Sequence, residues 1–445
     1  MKAVSVFPGT QTFKIVEHEA PRITQPDQVM LRMLDVGICG TDREICSFEY
    51  GIPPEGYDYL VIGHESLAQV EEVGSAVGRL KPGDLVVPTV RRPCHHPECR
   101  ACRSDHQDFC YTGDFTARGI KEAHGYMTQI VVDHERYMNL VLPNLSEVAV
   151  LVEPLTIAEK AMAQVFWLMQ HRPPWIDTEV PGAERGRGLN ALVLGVGPVG
   201  LLGAMILVSA GFKTYVYSRE VPPNPRIDLV SSIGATYIST QTTNIERLRD
   251  QIGNIDLVYE AVGHSHFALE ALRVLGINGI FVLTGVPGLQ AFIEADPARL
   301  MRDMVLKNQV LFGTVNAGSE SFASAIRDLD VFMKRWPVAV RTLIAGRYPP
   351  EQAFELILTI HLCELTTCCT WIVVMIAPSR HSPWVRIQAP IWMVHFTLSQ
   401  KVCDYMRCHL MPLLDKRVLS RSTTPSQSSQ KNLTPTISSK PSTTW

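Results

Sequence analysis

Cys39 and Thr41 lie in the run Gly37-Ile38-Cys39-Gly40-Thr41-Asp42, His64 and Glu65 in Gly63-His64-Glu65, and Glu153 in Leu151-Val152-Glu153-Pro154-Leu155. A thiolate, an imidazole and a carboxylate that converge can hold zinc, and a catalytic zinc keeps three protein ligands and one open position. The same residue types serve equally well as a buried free thiol and a core histidine, and distance along the chain does not decide between the two. A second set is more specific. Cys99-x2-Cys102-x7-Cys110 follows Cys94 across four intervening residues, a spacing in which four thiolates can close a structural zinc site. Metal bound there would supply folding free energy to a loop with little core of its own. His95 and His96 compete with Cys94 for the first place, His96 standing at the tighter x2 spacing from Cys99. Four unliganded thiols are the plain alternative. A nucleic-acid finger is disfavoured because the surrounding segment lacks a basic recognition helix.

The third set is Gly195, Gly197 and Gly200, in the stretch LVLGVGPVGLLGAM. An apolar run at 192–194 reads as a buried strand, 199–209 as a helix, and 213–217 as a second strand. In that context the glycine triplet is a dinucleotide-binding turn. The first glycine makes the tight turn, the second lets the backbone approach a pyrophosphate, and the third lets helix pack on strand. Pro198 fits the first helical position, and with Val199 it opens the helix whose free N–H groups face the phosphates. The second strand ends Tyr217-Ser218-Arg219-Glu220. Ser218 and Arg219 suit a ribose 2′-phosphate, while Glu220 is the acid type that serves an unphosphorylated ribose. The expected cofactor is NADP, with NAD as second choice.

The elements that must position these residues follow from pattern. Short strands are expected at 2–6, 13–17, 28–34 and 85–90, with both polar spots at strand ends or turns. A helix is expected at 155–171, before Pro173-Pro174, and a domain boundary at 172–188. Residues 189–315 then alternate strands and helices, with later strands at 255–259, 279–283 and 309–314, which predicts a doubly wound parallel sheet. Helices at 321–335 and 351–358 return to the first domain. The expected organisation is a catalytic domain over 1–186 with a zinc lobe near 94–110, a dinucleotide-binding domain over 187–315, a return segment over 316–360 and an atypical extension over 361–445.

Composition bounds the rest. The chain has 445 residues, 46% of them hydrophobic, and a net charge of −3, which gives no reason to expect a nucleic acid or an anionic membrane as partner. Met1 leads into MKAVSVF without an apolar signal segment, and no run of about 18 apolar residues occurs, so a cytoplasmic protein is expected. The composition changes near residue 359. Residues 1–360 carry a net charge of −9 and residues 361–445 one of +6, and no Glu follows Glu364. Ser420 to Trp445 holds 14 Ser or Thr in 26 residues and is expected to be disordered. Such a break is what a reading-frame change or a fusion would leave. Within it, TWIVVMI at 370–376 has the pattern of a substitute strand.

Taken together, and in this order, these motifs resemble the zinc-dependent medium-chain dehydrogenase/reductase superfamily. Val87-Pro88-Thr89-Val90-Arg91-Arg92, Thr112-Gly113-Asp114-Phe115, Glu153-Pro154-Leu155 with Glu159-Lys160, and Val315-Asn316 are similar to the archaeal-type glucose 1-dehydrogenases within it, over about residues 1–358. The resemblance implies an α/β protein with a GroES-like β-barrel catalytic domain and a Rossmann domain. It implies catalytic zinc at Cys39 and His64 with Glu65 and Glu153 beside the metal, and lobe zinc at Cys94, Cys99, Cys102 and Cys110. The gap after Cys94 is longer than the family's usual two residues, so Cys94 and His96 stay alternatives for the first ligand. Thr41 matches a hydroxyl that shuttles the substrate proton. Thr89, Asp114, Glu153, Glu159 and Asn316 fall where sugar hydroxyls are held, Asn316 also near the cofactor. The implied activity is oxidation of an aldose at C1 to the lactone. The alternatives are a polyol, threonine or alcohol dehydrogenase, or a relative that has lost its chemistry. The resemblance also implies a homodimer or homotetramer built through the edge of the dinucleotide-binding sheet.

Overall fold

The computed structural model describes residues 1–175, 185–287 and 295–357, and the backbone of 372–376. The N-terminal part is built of β1 (Lys2–Phe7), β2 (Thr12–Glu17), β3 (Gln28–Ile38), α1 (Gly40–Cys46), β4 (Leu60–Val61), β5 (Glu65–Val73), β6 (Leu85–Pro88), β7 (Arg91–Arg92), α2 (Arg100–Arg103), β8 (Thr116–Arg118), β9 (Glu122–Ala123), β10 (Ile130–His134) and β11 (Met138–Leu140). β3 alternates half-buried and buried residues from Gln28 to Leu34, with Val29, Leu31 and Met33 turned inward, and is then buried throughout from Val36 to Ile38. Period-two alternation is the mark of a sheet wetted on one face. The uninterrupted burial beyond Asp35 explains why the strand outruns the expected 28–34 and delivers its end straight to Cys39.

α3 (Val152–Met169) follows. It begins three residues before the expected start at 155, because Pro154 is tolerated in a first helical turn, and this puts Glu153 on the helix. Next come β12 (Asn190–Leu194), α4 (Pro198–Ser209), β13 (Lys213–Ser218), α5 (Pro225–Ser232), β14 (Thr236–Ser239), α6 (Leu248–Ile252), β15 (Leu257–Glu260), α7 (Ser265–Leu272), β16 (Ile280–Leu283), α8 (Pro297–Leu306) and β17 (Val310–Gly313). The six strands pair in parallel in the order β14-β13-β12-β15-β16-β17. This is the doubly wound order, which reverses between β12 and β15. Ala191 to Leu194 are buried on both faces, as a sheet covered by helices on either side requires. α9 (Ser319–Arg335), α10 (Pro337–Thr342) and β18 (Ile344–Tyr348) lead the chain back, and α9 packs on α3.

β19 (Ile372–Ile376) closes the catalytic sheet. It lies antiparallel to β3, with Val374 opposite Gly37 and Val373 opposite Ile38, and parallel to β18. The sheet then runs β11-β6-β5-β3-β19-β18, with β10 on the other half of β3. Arg347 Nη2 of β18 and Asp35 Oδ2 of β3 are 2.9 Å apart, an ion pair that also ties the two flanking strands. The substitute strand expected from TWIVVMI is therefore present in the structure. The rest of the extension, with its expected disorder, lies outside the described residues, as does most of the expected boundary at 172–188. Among the described residues no helix is long and apolar enough to cross a membrane.

Candidate active site

Cys39 stands between β3 and α1, as the residue before the first helical turn. Its Sγ lies 3.1 Å from His64 Nε2, and donor atoms of Cys39, His64 and Glu65 all fall within 4.8 Å of one another. Two features bring them there. Glu65 opens β5 and pairs with Gly37 of β3. A Cβ at Gly37 would stand 2.3 Å from Glu65 Oε2, so glycine leaves the space the carboxylate fills. Asp42 is fully buried. Its Oδ2 accepts from the Cys39 N–H at 3.0 Å and its Oδ1 from the Gly63 N–H at 3.2 Å, which joins the two ligand-bearing segments. Oδ1 is also 3.6 Å from His64 Nδ1.

The group is crowded with acid. Burial pushes the Cys39 thiol well up, and the charges of Asp42, Glu65 and Glu153 push the same way. Burial likewise lifts Glu65 well above the carboxylate range, aided by Glu153 and Asp42, and lifts Glu153, opposed by His64. Glu65 Oε2 and His64 Nδ1 are buried without hydrogen-bond partners. A thiol and two carboxyls that suppress each other's ionisation, gathered at an imidazole, suit a divalent cation, which would favour the thiolate and carboxylate forms. Thr41 is half-buried in the first turn of α1 beside this group.

In the lobe, the Sγ atoms of Cys94, Cys99, Cys102 and Cys110 lie within 4.8 Å of one another. Cys94 is buried among them, its N–H donating to Cys102 Sγ at 3.4 Å. His96 faces the other way, with Nε2 on Asp114 and Nδ1 3.3 Å from Glu98. Burial raises the Cys102 thiol, whereas hydrogen bonds override burial to lower Cys99 and Cys110. Four thiols whose sulfur atoms converge in this way fit a tetrahedral cation.

In the glycine turn, Gly195 has φ +98°. A Cβ on Gly200 would stand 2.5 Å from Gly195 O, so the helix closes on the turn only without a side chain there. Gly197 precedes α4, Pro198 and Val199 begin it, and no side chain caps its N–H groups, which leaves them for an anion. Glu260, buried at the end of β15, accepts from Val262 N and Gly263 N at 2.7 Å each and from Gly285 N at 3.2 Å. It thereby fixes the loops after β15 and β16 beside Gly195.

Other candidates are placed differently. Thr89 is buried and its hydroxyl donates to Tyr137 O at 3.4 Å. Glu159 is buried in α3 and faces Asp328 of α9. It lies six residues beyond Glu153, and at 3.6 residues per turn that is another helix face. Asp114 is exposed on the lobe against His96. Asn316, with φ +58°, turns its Oδ1 to the Ala317 N–H at 2.8 Å. Lys160, quoted only as part of a motif, forms a buried ion pair with Asp108 of the lobe at 2.7 Å, donates to Val315 O at 3.1 Å and lies over the Phe109 ring.

A half-barrel carrying a Cys/His/Glu group, next to a doubly wound sheet with a glycine turn, defines an oxidoreductase of the medium-chain dehydrogenase class. Comparison with known proteins narrows this. The family "Alcohol dehydrogenase GroES-like domain" matches residues 25–143 and "Glucose dehydrogenase C-terminus" residues 146–357. Glucose 1-dehydrogenase of Methanocella arvoryzae is 35% identical over 356 residues, 80% of this chain and 95% of that protein. Glucose 1-dehydrogenase 2 of Vulcanisaeta moutnovskia is 35% identical over 361 residues, 80% of this chain and 95% of that protein. The solved structure of Haloferax mediterranei glucose dehydrogenase in complex with NADP, Zn and gluconolactone matches with a TM-score of 0.72 and 31% identity, over 85% of this chain and 100% of that one. The chain belongs to the glucose dehydrogenase family of zinc-dependent medium-chain dehydrogenases.

Proposed function

We propose that this chain oxidises a glucose-like aldose at C1 to the lactone, with zinc held by Cys39, His64 and Glu65 and NADP held at the glycine turn. The observation that carries the reading is the 3.1 Å approach of Cys39 Sγ to His64 Nε2 with Glu65 in the same group. The naming of the Haloferax structure for NADP, Zn and gluconolactone supports it. Bound zinc supplies a Lewis acid that lowers the pKa of the anomeric hydroxyl, and bound NADP accepts the hydride from C1. The protein does the rest. Thr41 takes the hydroxyl proton from its place in the first turn of α1. Glu153, pushed up by burial, is suited to holding that proton before solvent receives it. Gly197, Val199 and Gly200 present N–H groups and the helix end to the pyrophosphate, Pro198 sets the first helical position without an N–H of its own, and Asn316 borders the nicotinamide side. Asp114, exposed on the lobe against His96, stands where a sugar hydroxyl can reach it, whereas Thr89 is turned to Tyr137 O and Glu159 to Asp328. Cys94, Cys99, Cys102 and Cys110 hold a structural zinc.

The domain limits that go with this reading are 1–186, 187–315 and 316–360. A homodimer through the edge of the parallel sheet is supported by α8, which exposes Met301, Val305 and Leu306 at 68%, 76% and 63% next to the edge strand β17. Purified protein assayed on glucose, galactose, sorbitol, threonine and ethanol with both cofactors, with zinc counted, tests the activity. Aldose turnover with two zinc ions per chain is expected, and Cys39→Ser is expected to abolish turnover while NADP still binds. Preferred oxidation of sorbitol, threonine or ethanol, or full turnover by Cys39→Ser, overturns it.

A further inference from the structure

At the end of β13 the one acid suited to an unphosphorylated ribose is already engaged. Both carboxylate oxygens of Glu220 have partners: Ser218 Oγ donates to Oε2, and Arg226 Nη1 lies 3.3 Å from Oε1. The pair is secluded, the Arg226 and Glu220 side chains being 10% and 8% exposed. Two further contacts fix it. Asn224 Oδ1 caps α5 by accepting from Arg226 N at 3.0 Å, which sets Arg226 in the first turn. The Tyr237 hydroxyl donates to Glu220 O at 2.8 Å. Arg219 is exposed beside them. An acid selects NAD by accepting from the ribose 2′-hydroxyl, and a carboxylate facing a 2′-phosphate repels it. An acid neutralised by a neighbouring cation does neither. Arg219, Glu220 and Arg226 together then present a net charge of +1 to a phosphate of about −2.

We propose that Arg226 is a specificity-determining residue for the cofactor, acting through Glu220: its ion pair withdraws the acid from the adenosine ribose and turns the end of β13 from an NAD site into an NADP site. This rests on the cofactor binding at the glycine turn, and it assigns to Arg226 a positioning role without contact to the nucleotide.

The test measures calorimetric binding of 2′,5′-ADP and 5′-AMP to the zinc-loaded protein, and kcat/KM for NADP against NAD, in the parent and in Arg226→Gln, Arg226→Lys and Glu220→Gln. Arg226→Gln is expected to lose about ten-fold in affinity for 2′,5′-ADP, with 5′-AMP unchanged or tighter, and to lower the NADP to NAD ratio by a similar factor. Arg226→Lys restores most of the ratio, and Glu220→Gln keeps or raises it. Equal changes for both nucleotides in Arg226→Gln, or no change in either, overturn the proposal, as does a Glu220→Gln protein that shifts toward NAD. Should Arg226→Gln fail to fold, the Glu220→Gln ratio decides alone. A parent protein that binds neither nucleotide sinks the underlying cofactor reading as well, a result distinct from an unaltered ratio.

Discussion

Asp42 is not among the grouped metal donors, yet both ligand-bearing segments hang from its two oxygens. An amide offers only one acceptor oxygen. In Asp42→Asn, either Cys39 N or Gly63 N must therefore face an NH2 group. The expected result is a loss of about 10–100-fold in zinc affinity or kcat/KM, the usual effect of removing an outer partner of a metal site. Dialysis against a graded chelator followed by metal counting checks it. Residue type marked Cys39, His64 and Glu65 as candidates in the sequence, but a buried thiol and a core histidine explained them equally well, and the family resemblance was what favoured zinc. Asp42 was quoted in its motif without a role because it acts through backbone N–H groups, which leave no mark at the positions they belong to. An acid three residues after a residue that precedes a helix is the pattern that points to it.

Helix phase governs the next scale. α3 carries Glu153 toward the metal group and, on another face, Glu159 toward α9. Burial, reinforced by Asp328, lifts the Glu159 carboxyl to about 9. An unfolded chain releases that proton near about 4.3. Between those two values the unfolded state has lost the proton and the folded state still holds it, so this group makes stability fall as pH rises through the window. Glu159→Gln removes the slope. The variant is expected to match the parent near pH 4 and to exceed it by about 1–3 kcal/mol at pH 8, with the KM for sugar unchanged; denaturant unfolding at the two pH values checks both the sign and the size. The motif read as a line of letters does not show that the helix turns Glu153 and Glu159 to different faces. β19 makes the complementary case. Its five residues stood out by pattern alone, inside a stretch that matched nothing else, because backbone pairing asks for hydropathy and extension and little more. Val374→Pro would interrupt hydrogen bonding in a strand paired on both sides, at a cost of about 3 kcal/mol or more. Since Val374 lies opposite Gly37, two residues before Cys39, catalytic activity should fall with the melting temperature. A variant with the parent's melting curve would contradict the strand's role.

At the scale of the described molecule, distant parts of the chain meet where Lys160 reaches the lobe. One ammonium on α3 holds Asp108 from the cysteine loop and Val315 O from the segment after β17, so three parts of the chain meet at a single buried charge. Lys160→Met keeps the packing over Phe109 and strands a carboxylate that is 4% exposed. Breaking a buried pair from one side costs about 3–5 kcal/mol, which thermal unfolding would register as a lower and broader transition, accompanied by easier loss of the lobe metal. The two-part architecture was readable from periodicity, since strand and helix patterns alternate over 189–315. The tie between the parts was not, because nothing along the chain announces that a lysine in an apolar helix meets an aspartate 52 positions earlier.

A place in mid-sheet that accepts five apolar residues from a stretch of foreign composition amounts to a socket. A chain ending before residue 372 should leave that socket open, and a short peptide bearing Ile-Val-Val-Met-Ile supplied separately should seat in it and return turnover in proportion to its concentration. The catalytic half would then behave as a split enzyme, with its reassembly readable as the appearance of reduced nicotinamide.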